Sequence, residues 1–294
     1  MQLATPLLTT YSCFGSSTWS ATTAGSGQSV LSGVLAGFVF AGIVAVLGVH
    51  AKDPGREAAR ALKLLFCAFI GLAVASYLLA DQAADINCLR SSSEEILAGG
   101  ILGTFAIIMI VSLSWLIAAY DMHKHGVLRF LRHLLYVASA FVVLLLCTSS
   151  YSFLQADVHG GPPLVVVVWI YVAGGLFYGL GHPLTMRAAR RFLAKAKLVR
   201  KSIGDSQRQA ADAHRTQRDI VDLCAWVALS YLALAAIGDA FVLSTNDGAW
   251  EPPSAGLMYA MAWSSLVVPI AVLILATHAL APEPPSSDSP TGQT

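Results

Sequence analysis

MRAARRFLAKAKLVRKSIGDSQRQAADAHRTQRD, residues 186–219, carries ten of the chain's 18 basic residues. It lies between two apolar runs, LVVVVWIYVAGGLFYGLGHPL (164–184) and VDLCAWVALSYLALAAIGDAFVL (221–243). At about 1.5 Å per helical residue, each run can cross a hydrocarbon core of about 30 Å. Basic side chains resist translocation, so the quoted segment belongs on the cytoplasmic side and both runs must end on the other.

The same logic extends in both directions. Five further apolar runs occupy Ser29 to His50, Leu64 to Ala80, Ile96 to Tyr120, Leu134 to Leu154 and Met258 to Ala281. Lys52, Arg56, Arg60 and Lys63 follow the first run, and Lys124, Arg129 and Arg132 separate the third from the fourth. With seven spans, every basic residue except Arg90 falls on one face; dropping one span would scatter them over both. The expected fold is therefore all-α and integral to the membrane, with seven transmembrane helices, the N-terminus outside and the C-terminus cytoplasmic.

Composition agrees with that class. The chain is 56% hydrophobic and 12% charged, with a mean hydropathy of +0.65, whereas a soluble domain carries about 25% charged residues. Residues 1–28 are Ser- and Thr-rich with no Lys, Arg, Asp or Glu. They read as an extracytoplasmic tail without a cleaved signal, since a basic start and an apolar centre are missing. Residues 29–281 form the expected helical domain, and 282–294 (PEPPSSDSPTGQT) a disordered cytoplasmic tail. Three glycine pairs four residues apart, Gly33 and Gly37, Gly99 and Gly103, and Gly175 and Gly179, read as helix-packing positions or as a homo-oligomer contact.

Ionisable groups at the ends of the spans are the candidates for function. Asp239 lies near the outer end of the sixth run, and Asp81, Asp85, Glu94, Glu95, Asp157, Asp247 and Glu251 are placed on the same face, against Arg90 alone. Such a surface concentrates cations. Asp239, Asp81, Glu94 and Glu95 are the expected ligand or ion residues, with Ser91, Ser92 and Ser93 as capping hydroxyls for the third helix. His50, His133, His182 and His278 come from four spans and approach the cytoplasmic edge. Together they form an alternative metal or haem site, although no HExxH-type signature is present. Cys13 and Cys88 share the outer side, where a disulfide can persist. Cys67, Cys147 and Cys224 read as packing residues.

Several classes are excluded by missing residues. The last run, MYAMAWSSLVVPIAVLILATHALA, has no Lys to form a retinal Schiff base. The third ends in AAYDMHKHG instead of Asp-Arg-Tyr, and no Asn-Pro-x-x-Tyr occurs around Pro269. No soluble segment holds a nucleotide or hydrolase motif. The expectation is a non-enzymatic protein of the cell membrane that binds, senses or transports a solute, or serves a larger assembly; the alternative is a metal- or haem-binding enzyme. No cofactor is expected outside that alternative. The expected partners are the bilayer, anionic inner-leaflet lipids at 186–219, a cytoplasmic protein or a second copy, and no nucleic acid.

Overall fold

The computed structural model describes residues 21–49, 55–85, 88–120, 125–157, 163–172, 174–176, 206–244 and 255–280. They form α1 (Ala21–Val49), α2 (Arg56–Ala84), α3 (Cys88–Ala119), α4 (His125–Asp157), α6 (Ser206–Leu243) and α7 (Ala255–His278), with the shorter apolar helix α5 (Leu164–Leu176) between α4 and α6. Six of these, α5 excepted, are long and apolar enough to cross a membrane. No strand occurs among the described residues. The fifth span expected at 164–184 is described only as far as Leu176, so the count of seven goes beyond the six long helices.

Every long helix begins before the apolar run that announced it. α1 starts at Ala21, inside the segment read as a tail, and α2 carries Arg56, Arg60 and Lys63 on its own first turns. α3 starts at Cys88, so Ser91, Ser92 and Ser93 are helical residues and not the caps expected of them. α6 starts directly after Gly204 and Asp205. A hydropathy window ends where charge begins, but a helix does not, because Arg, Lys, Glu and Gln are good helix formers.

α3 is the central element. It packs against α1, α2, α4, α6 and α7, and Ile101, Phe105, Ile108, Val111 and Trp115 on it are buried. The exterior is apolar instead: Phe38, Val137, Phe141, Trp226 and Phe241 are exposed. An apolar belt of this size suits lipid and not water. α1 and α2 are clasped by hydroxyls. Ser29 and Ser76 each donate to the other's carbonyl, at 2.8 and 3.0 Å, and Ser32 donates to the Leu72 carbonyl at 2.8 Å. Where both helices face lipid, such bonds and close packing stand in for the hydrophobic effect. Within the bundle only one glycine of each of the first two pairs meets a neighbouring helix, and Gly179 lies outside the described residues. Gly33 approaches Ser76 and Gly103 approaches Val142, whereas Gly37, Gly99 and Gly175 face open space.

Contacts at both ends fix the helix directions. At one end Lys63 on α2 meets Asp222 on α6 at 2.7 Å. There the Arg60 guanidinium lies 4.7 Å from the centre of the Trp115 ring, and the Trp115 indole N–H donates to the Ala279 carbonyl at 2.7 Å. α2 and α6 are thus parallel, and α3 and α7 both end where α2 begins. The Lys63–Asp222 pair is half exposed, at 52% and 32%, so water screens it. Lys63→Ala is expected to change stability by less than about 1 kcal/mol. A thermal unfolding scan in detergent checks this; a larger loss would mean that the pair locks this end of the bundle.

A candidate cation site between α2, α3 and α6

The opposite end collects the acidic residues. α2 stops at Ala84, where Asp85 turns extended and its backbone N–H bonds the Gln82 carbonyl at 3.2 Å. The chain then re-enters a helix at Cys88, and Arg90 on its first turn reaches back. Its Nε and Nη2 groups donate to the two Asp85 carboxylate oxygens at 2.6 and 2.9 Å. Both side chains are buried, and a two-pronged, charge-assisted pair of this kind is the strong form of the interaction. It staples the α2–α3 corner.

Glu94 stands one helical turn beyond Arg90, with its Oε1 3.6 Å from the Arg90 Nε. Its environment is otherwise negative: the charges of Asp85, Asp239 and Asp81 act on it, and that of Asp81 acts on Asp239 as well. α6 runs beside α3 here, with Gly238 next to Leu97. Three carboxyl groups, those of Asp85, Asp81 and Asp239, thus act on Glu94, while the guanidinium beside it is already bound to Asp85.

The polar atoms there are also under-satisfied. Glu94 is 1% exposed and Asp239 2%. Neither oxygen of Glu94, nor Oδ1 of Asp239, nor the Ser91 hydroxyl has a hydrogen-bond partner among the described residues. Leaving a buried polar atom unbonded costs about 1–3 kcal/mol, and more for a charged group. Native structures keep such groups where an ion, water or ligand completes them.

Of the four residues expected to bind an ion, Asp239, Glu94 and Asp81 come within electrostatic reach of one another. Glu95 is buried too, but it lies about 100° around α3 from Glu94, and burial rather than a neighbouring charge dominates its surroundings. The sequence placed Asp85 and Arg90 on this face but not as a pair; a carboxylate and a guanidinium five residues apart across a helix corner was the available signal. The alternative histidine site is only partly in view. His133 is exposed on α4 and His278 half-buried at the end of α7, while His50 and His182 lie outside the described residues. No group of three or more His, Cys, Asp or Glu side chains is close enough to cage a metal among the described residues, the carboxylates of this end included. Cys13 and the side chain of Cys88 also lie outside them. Cys67, Cys147 and Cys224 are buried free thiols.

No known protein family, curated protein or solved structure matches this chain.

Proposed function

We propose that the chain is a seven-span protein of the cell membrane that binds a small cation where α2, α3 and α6 meet, as a non-enzymatic binding, sensing or transport protein. The observation that carries this is the set of buried carboxylate oxygens with no hydrogen-bond partner among the described residues, both of Glu94 and Oδ1 of Asp239, while the arginine beside Glu94 is already paired with Asp85. A cation supplies both the missing charge and the missing partners. The carboxylates are spread over three helices, which suits a partly hydrated ion better than a tightly caged one.

Helix direction supports the seventh crossing. α4 starts at the end where α3 stops, and the first half of α6 lies at that same end, with Asp222 beside Lys63. A return across the bundle between Asp157 and Ser206 accounts for this, and the apolar α5 supports it. The distribution of Lys and Arg supports a cytoplasmic position for the Lys63 end, with segment 186–219 resting on anionic lipid. The cation site then opens outward.

Full-length protein in detergent, heated in matched NaCl, KCl, MgCl₂ and CaCl₂ at equal ionic strength, tests the reading. At a concentration of about 100 times its dissociation constant, the bound ion stabilises the fold by about 2.7 kcal/mol. Asp239→Asn is expected to remove that response while helix content stays unchanged. A response that survives in Asp239→Asn, or none to any of the four salts, would refute the proposed site.

A further inference from the structure

The unbonded polar atoms do not stop at the acidic end. Tyr231 lies eight residues before Asp239 on α6, about 12 Å deeper along the axis, and Thr104 lies ten residues after Glu94 on α3. Both stand near the middle of their spans, Asp219–Val242 and Arg90–Ala119. Tyr231 is 6% exposed and Thr104 fully buried, and neither hydroxyl has a hydrogen-bond partner among the described residues. Buried tyrosines ordinarily find one.

The backbone is shaped around this point. A Cβ on Gly100 would overlap the Tyr231 hydroxyl and would touch the Pro269 ring at 3.7 Å. Gly100 is thus the notch in α3 that admits the phenol, and Thr104 follows one turn later on the same face. Pro269 sits inside α7 and has no N–H, so the Ser265 carbonyl one turn earlier loses its helical donor. The Ser265 hydroxyl does not replace it, since it is turned to the Met261 and Ala262 carbonyls. One level of the bundle therefore gathers two unbonded hydroxyls and a carbonyl without its helical donor, from α3, α6 and α7. Beyond it, towards the Lys63 end, α3 presents Ile108, Val111 and Trp115, all buried.

We propose that Tyr231, Thr104 and the Ser265 carbonyl form a second cation subsite at the centre of the bundle, reached from the carboxylates of Glu94 and Asp239 and selective for a monovalent ion. The selectivity follows from the ligands. Neutral oxygens replace part of the hydration shell of Na⁺ or K⁺, whereas Mg²⁺ dehydrates reluctantly and Ca²⁺ favours carboxylates. α7 stays continuous through Pro269, and a carbonyl inside it that has lost its N–H donor keeps a lone pair available to a cation. The acidic cluster is then the entrance to a transport route and not a sensor site alone. This inference rests on the proposed function above.

The test is uptake of ²²Na⁺ and of ⁸⁶Rb⁺, as a K⁺ substitute, into proteoliposomes of the full chain, beside the salt-dependent unfolding of the same preparations. Wild type is expected to take up one of the two ions above protein-free vesicles. Tyr231→Phe and Thr104→Val are each expected to lower that uptake at least tenfold while keeping the stabilisation that depends on Asp239. Gly100→Ala, which puts a methyl where the phenol oxygen lies, is expected to do the same. Stabilisation without uptake in wild type, or full uptake in the Tyr231 and Thr104 variants, would overturn the inner subsite and leave the outer one standing. Absence of both stabilisation and uptake would overturn the two together.

Discussion

Arg90→Gln is expected to destabilise the folded chain by about 3–5 kcal/mol, the range for removing one partner of a buried ion pair. The loss is large because of what stays behind. Asp85 would keep its buried carboxylate without the two N–H donors at 2.6 and 2.9 Å. Glu94 would lose the one positive charge that acts on it. The pair also closes the corner between α2 and α3, so its loss weakens the packing of the central helix. Asp85→Asn with Arg90→Gln is expected to recover part of the stability, because both charges are then gone and the two amides can still bond. Denaturation in mixed micelles, with the double variant completing the cycle, measures the coupling. A single variant within about 1 kcal/mol of wild type would show that water screens the pair as it screens Lys63 and Asp222.

This contrast between two ion pairs also marks what the residues alone could reveal. The long apolar runs and the segregation of Lys and Arg each depend on transfer energies of single side chains, and these are properties of the chain read in order. Placing Asp239, Glu94 and Asp81 at one end of the bundle needed nothing more than alternating helix directions. Arg90 was visible as the lone cation of that end, but its role as the partner of Asp85 depends on where α2 stops. That point lies past the apolar window, in residues whose hydropathy reads as loop. Tyr231 was less legible still. An aromatic residue inside an apolar run reads as packing, and its unbonded hydroxyl becomes significant only beside Gly100 and Pro269, which come from two other helices. Glu95 shows the converse: adjacent in sequence to Glu94, it shares the burial but not the electrostatic company.

A close contact between α2 and α3 carries the second large effect. Gly71 of α2 lies directly on the Phe105 ring of α3, and any Cβ there would overlap the ring. Phe105 is fully buried, on the helix that all the other long helices touch. It therefore has no open side to turn to, and the two backbones must separate instead. Gly71→Leu is expected to destabilise by about 3 kcal/mol, the upper part of the usual range for overpacking, even though leucine favours a helix over glycine by nearly 1 kcal/mol. Phe105→Ala alone, which leaves a cavity in place of the ring, is expected to lose about 3–5 kcal/mol. Combined, the two changes exchange a large residue between facing helices and roughly conserve volume. The double variant should then be more stable than either single one, and ion binding at Asp239 should return with the fold. Additive losses in the double variant would mean that Gly71 and Phe105 are not in contact, and the α2–α3 register that places Arg90 beside Asp85 would have to be redrawn.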